Sequence, residues 1–198
     1  MPEDARPAHA AIGFRVKSGW ATAVLVAGPI ESPQVLDRQV VDLCDPAVPE
    51  SRQPYHAAMG TLQTDEAKVR RLRKVICRAT NRSVPGLIKA YRDAGRRLRS
   101  AGLVVGSDID PAKITNPHIR AHALEGRLFR TVLEEAVRAC SLPCTVIVEQ
   151  NVYKRAAERL GRSEEDLKRA VALLGRSADG PWRADEKTAS LAAWLGLA

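Results

Sequence analysis

The chain has 198 residues, 45% of them apolar and 27% charged, enough to build the core of one globular domain spanning residues 1–198. Its net charge is +8, which favours an anionic partner, and no apolar run approaches the length of a bilayer-spanning helix, so none is expected. Cys44, Cys77, Cys140 and Cys144 form no CxxC pair and read as buried free thiols ahead of metal ligands. The opening Met1-Pro2-Glu3-Asp4-Ala5 has no basic stretch followed by an apolar one, so a cytoplasmic protein is expected.

Three strands come first. Ala10 to Val16 leads through Lys17-Ser18-Gly19 into Trp20 to Val26. After Gly28-Pro29 comes Val35 to Leu43, where apolar Leu36 and Val40 are interleaved with Asp37 and Gln39. Short connections make these an antiparallel meander. Residues 45–63, punctuated by Pro46, Pro49, Pro54 and Gly60, read as loop. Thr64-Asp65-Glu66 starts a helix to about Asn81, which Pro85-Gly86 is expected to break before a second helix reaches Ser100. Gly102 to Ser107 reads as a buried central strand, and Pro143 to Glu149 as another. Helices are expected over Val152 to Leu160, Ser163 to Leu174 and Ala184 to Leu197. The order β-β-β-α-β-α-β-α implies an α/β fold, one mixed five-stranded sheet flanked by helices.

The charge is unevenly placed. Between Thr64 and Ser100 twelve cations (Lys68, Arg70, Arg71, Arg73, Lys74, Arg78, Arg82, Lys89, Arg92, Arg96, Arg97, Arg99) face three acids (Asp65, Glu66, Asp93), a surplus of nine. The other residues hold 19 basic and 20 acidic groups, so this segment supplies the whole surplus. Nucleic acid is the first partner such a concentration suggests, with a solvated helix face as the plainer reading.

A further helix opens at Asn116, a good N-cap, with Pro117 at its first position, and runs to near Cys140. His118, His122 and Glu125 fall at i, i+4 and i+7 on one face, and Phe129, Val132, Leu133 and Ala136 continue it as core. A stripe that is polar at one end and apolar afterwards leaves the core where a cleft begins. Two imidazoles and a carboxylate are a reasonable transition-metal set, although the HExxH zinc pattern is absent. Otherwise His118 caps near solvent while His122 and Glu125 bond each other or an arginine. Asp108 and Asp110 follow the central strand, where sites of open α/β sheets lie, and also suit a turn. Lys17 and Ser18 at the first turn could contact phosphate or form a plain hairpin turn, and Trp182 could stack a base or anchor the last helix.

The element order resembles that of the ribonuclease H-like superfamily. Ala11-Ile12-Gly13-Phe14-Arg15-Val16-Lys17-Ser18-Gly19-Trp20-Ala21 is similar to the first strand and turn of its Holliday-junction-resolvase (RuvC-type) branch. His122-Ala123-Leu124-Glu125-Gly126 resembles that branch's helix against the sheet, Pro143 to Glu149 its following strand, and Arg183-Ala184-Asp185-Glu186-Lys187 its late helical segment. The resemblance leaves the basic helical insertion, about 64–100, unexplained. It implies carboxylates on the first strand, the fourth strand and the last helix binding two divalent metals, Mg²⁺ or Mn²⁺, for phosphodiester cleavage. Here Arg15 occupies the first-strand position, and Asp108, Asp110, Asp185 and Glu186 are the remaining counterparts.

The leading expectation is a nucleic-acid-binding protein (DNA or RNA) on this scaffold with a degenerate metal site. Arg70, Arg71, Arg73, Lys74, Arg78, Arg96, Arg97, Lys17 and Ser18 would hold phosphates, and Arg15 would be an anion ligand. The second is an active metal-dependent endonuclease with Asp108, Glu125 and Asp185 catalytic and His118, His122 and Asp108 on the metal. The third is a protein-interaction module for an acidic partner. A homodimer is left open in each.

Overall fold

The computed structural model describes residues 9–57, 60–178 and 180–198. β1 (His9–Lys17), β2 (Trp20–Ala27) and β3 (Gln34–Asp42) form the antiparallel meander. Gly19, at φ +87°, makes the tight turn between the first two. β4 (Arg97–Val105) lies parallel to β1 and β5 (Cys144–Val148) parallel to β4, giving the five-stranded order β3-β2-β1-β4-β5. The helices are α1 (Glu66–Asp93), α2 (Pro117–Ala139), α3 (Val152–Leu160), α4 (Glu164–Leu174) and α5 (Ala184–Leu195). No helix among the described residues is long and apolar enough to cross a membrane. The four cysteines are free and half-buried.

The strands alternate between two helical layers. Ile12, Phe14 and Val16 of β1 share a core with Ile76, Val84 and Leu87 of α1 and Phe129 and Leu133 of α2. On the other face Ala11 packs with Ala189 and Ala193 of α5, and Val104 with α3 and α4 side chains. Gly13 and Gly102 are register partners on β1 and β4, directly beneath α5. A Cβ on Gly13 would lie 1.7 Å from the Ala189 carbonyl oxygen, and one on Gly102 2.7 Å from that of Ala192. The bare glycine pair lets α5 rest on the sheet.

Two expectations fail in the basic segment. One unbroken helix runs from Glu66 to Asp93 with Pro85 inside it, where a break was predicted. The buried stripe Leu72, Ile76, Thr80, Val84, Leu87, Ile88 and Tyr91 passes across the proline, and packing on both sides outweighs one missing backbone bond. Asn81, whose carbonyl loses that bond, is exposed to water. The second helix predicted to reach Ser100 does not exist: Gly95 turns the chain at φ +77°, and Arg97 already belongs to β4. The Arg97-Leu98-Arg99-Ser100 alternation was the strand signal that the arginine run obscured.

Candidate functional site

The C-terminal ends of β1 and β4 and the first half of α2 enclose a cleft of about 870 Å³. Arg15, Lys17, Ser18, Asp108 and His122 all contribute to its lining, so the structure brings these sequence candidates together, and Arg130 lines it as well. Its charges are paired internally. Arg15, 5% exposed, gives two bonds to Glu149 (2.5 and 3.3 Å) and one to the Val16 carbonyl (2.9 Å). Asp185, in the first turn of α5, stands 3.8 Å from the same guanidinium and 3.0 Å from Lys17 Nζ. Asp108 pairs with Arg130, and Asp110 caps a short 3-10 helix, Pro111–Lys113, with Arg127 at 4.0 Å.

These strand-end residues do not fit a pair of divalent cations. A guanidinium fills the first-strand position, and its positive charge is already neutralised by Glu149 and Asp185. A metal ion there would meet repulsion and compete for carboxylates in use. Arg15 spends its donors on the protein, where the sequence suggested an anion ligand. Glu149 was missed by sequence reading because its partner lies 134 residues away.

At the rim of the cleft a second group forms. α2 begins as expected, Asn116 accepting from Ile119 N with Pro117 following, and this sets His118 and His122 one turn apart. Their Nε2 atoms are 3.2 Å apart, and His118 Nδ1 lies 2.7 Å from the Gly60 carbonyl oxygen. The loop before α1 delivers a third imidazole, His56, whose ring centroid is 4.4 Å from that of His122 and 5.3 Å from that of His118. A bridge between His56 and Leu62 and bonds Ala57 N to Thr61 O and Gln63 N to Tyr55 O hold that loop. Asp108 is not in this group: the described residues that could share one ion are His56, His118 and His122.

Glu125 explains the loop's position. It is fully buried, accepting from His56 Nδ1 at 2.7 Å and from Tyr55 N at 3.3 Å. Its sequence reading was catalytic, but this geometry makes it an anchor tying the loop to α2. Burial pushes its carboxyl above the ordinary range, and the hydrogen bond and charge of His56 pull it back. Desolvation, then the neighbouring His56 and His118, holds His122 below the usual imidazole value. Glu125→Ala should leave two buried donors without an acceptor and cost about 2–4 kcal/mol. Thermal unfolding should show this as a Tm fall of roughly 5–15 °C; an unchanged Tm would deny Glu125 the anchoring role.

The basic surface lies on α1. Arg70, Arg73, Lys74 and Arg78 border a separate groove of about 680 Å³, with Arg71 on its flank. Arg70 to Arg78 is eight steps of helix, about 12 Å of rise, so these cations form one dense stripe. Arg70 reaches exposed Glu66 at 3.2 Å, whereas Arg71, Arg73, Lys74 and Arg78 have no ion pair among the described residues. Arg96 and Arg97 are not part of this stripe: they lie at and just before the start of β4, roughly 26 Å of strand from its cleft end. Trp182 is an anchor, giving its indole N–H to the Val171 carbonyl and packing on Gly175.

Compared with known proteins, no family model matches the chain, and no curated protein matches its sequence. Among solved structures it is similar to Thermus thermophilus RuvC in complex with a Holliday-junction substrate, at TM-score 0.57 and 11% identity, covering 94% of this chain and 91% of that one. A second Thermus thermophilus RuvC structure matches at TM-score 0.54 and 10% identity, with the same coverage. The fold is the RuvC-type, ribonuclease H-like fold. On this RuvC-type scaffold the cleft at the ends of β1 and β4 is where the resemblance implied metal-binding carboxylates, and Arg15 stands there instead.

Proposed function

We propose that this protein binds nucleic acid along the basic face of α1, on a resolvase-like scaffold whose strand-end site holds ion pairs in place of metal ions. The observation that carries this reading is the groove of Arg70, Arg73, Lys74 and Arg78, most of its cations unpaired. Arg70, Arg73, Lys74 and Arg78 follow one another at about 4.5, 1.5 and 6 Å of rise, a dense row of cations to set against a phosphate backbone, and displaced counterions drive such binding. One of the RuvC structures that this fold matches holds a Holliday-junction substrate, which supports a branched DNA as the first ligand to test. Lys17 and Ser18 border the cleft and would take a strand entering it, although Lys17 must then share its charge with Asp185. A cytoplasmic setting suits the four free thiols.

The endonuclease reading draws on the imidazole group alone, because Asp108 and Asp185 are held by Arg130 and Lys17. One gel series separates the readings: labelled branched DNA, duplex DNA and RNA, each with Mg²⁺, Mn²⁺ or chelator. Retention without cleavage, unaffected by chelator, is the expected result. Metal-dependent products lost on His122→Ala would replace it with a nuclease. If no nucleic acid is retained, an acidic protein partner takes the place of both.

A further inference from the structure

Three of the chain's four histidines, His56, His118 and His122, converge from two distant segments, one nitrogen of each lying within 4.8 Å of the others. We propose that they form a binding site for one divalent transition-metal ion, zinc first, with Glu125 as the residue that positions His56. The proposal does not rest on nucleic-acid binding.

The hydrogen bonds assign the ring nitrogens. His118 Nδ1 faces the Gly60 carbonyl oxygen, which can only accept, so the hydrogen sits on Nδ1 and Nε2 carries a lone pair; without a metal that lone pair accepts from His122 Nε2, whose hydrogen a bound cation would displace. His56 Nδ1 faces the Glu125 carboxylate, leaving His56 Nε2 as its free acceptor. That Nε2 is buried without a partner among the described residues, on a side chain only 9% exposed. An unpaired lone pair inside a folded protein is a cost that a bound cation removes. The 3.2 Å between the Nε2 atoms of His118 and His122 matches the ligand edge of a tetrahedral zinc site, about 3.3 Å for bonds of about 2.0–2.1 Å. The third nitrogen, on His56, lies within 4.8 Å of the other two.

The surroundings fit a cation too. A carboxylate that orients a ligating imidazole through its other nitrogen is the usual support behind zinc-bound histidine. Here it also supplies a buried negative charge, and Glu125 Oε2 is itself without a hydrogen-bond partner among the described residues. Three imidazoles suit zinc, cobalt or nickel and serve hard Mg²⁺ poorly. His118 and His122 are exposed and His122 borders the cleft, so a fourth coordination position faces water at the cleft rim. Three protein ligands with one open position is the arrangement of sites that keep an exchangeable water.

Calorimetric titration of the full chain, stripped with chelator and dialysed, tests this with Zn²⁺ and Co²⁺. One ion per chain is expected, the Co²⁺ form showing the intense visible bands of a tetrahedral site, and excess Mg²⁺ should not displace it. Glu125→Gln should weaken zinc binding by about 10–100-fold, and His122→Ala, at an exposed position that folding does not need, by more than that. His9→Ala should leave affinity unchanged. Absence of stoichiometric uptake by the folded wild-type chain, or zinc affinity in His122→Ala equal to wild type, would overturn the site.

Discussion

Gly13→Val is expected to cost about 3 kcal/mol or more and to lower Tm by roughly 10 °C, or to prevent folding outright. The reason is backbone, not side chain. The space a Cβ needs at Gly13 is taken by the Ala189 carbonyl of α5, which cannot rotate away as a flexible side chain would. To admit even one methyl, α5 must lift from β1, β2 and β4, exposing the face where Ala11, Val24 and Val26 meet Ala189 and Ala193. Lifting α5 also moves Asp185 away from Arg15 and Lys17, so the cleft's ion pairs weaken with the core. Gly86→Ala is the matched control. Gly86 sits in α1 with nothing near its would-be Cβ, and the change should stabilise by about 0.5–1 kcal/mol through helix propensity. Equal Tm values for the two variants would show that α5 does not seat on the glycine pair.

The second large effect concerns binding. Replacing Arg70, Arg73, Lys74 and Arg78 together by alanine should leave α1 intact, since all four are exposed and alanine is the best helix former. If each cation neutralises one phosphate, the variant's plot of log affinity against log salt should be shallower by about 3.6 on duplex DNA. Between 50 and 200 mM salt the wild type would then lose about 150-fold more affinity than the variant. Fluorescence anisotropy over that salt range measures both slopes. Matching slopes would move the phosphate contacts elsewhere.

The fold was legible because its signals are local. Alternation along β3, the Asn116-Pro117 helix start and the apolar run into β4 each sit within a few residues of sequence, and together they give the strand and helix order. The α1–β4 boundary was misread where two local signals conflicted: proline and glycine at Pro85-Gly86 against an unbroken buried stripe, and arginine density against strand alternation. The site was legible only in part. His118, His122 and Glu125 share a helix, so their common face follows from spacing. His56 is a lone histidine in a loop read only from its prolines and glycines, and it joins them because Glu125 binds the backbone and ring of that loop. Glu125 therefore carried a signal of its own, a carboxylate inside an apolar stripe, which needs a partner from elsewhere in the chain. Arg15 likewise announced an altered strand-end site, while Glu149 and Asp185, which complete it, are set by the sheet order and by α5.

The function proposed above is that this RuvC-type scaffold holds nucleic acid by charge on α1, without metal ions at its strand ends. Its most direct test is an anisotropy titration of a labelled four-way DNA junction with the wild-type chain, in chelator at 50 mM salt. Saturable binding that weakens steeply as salt rises is the predicted result. No binding at that salt, or binding that appears only when Mg²⁺ is restored, would contradict it.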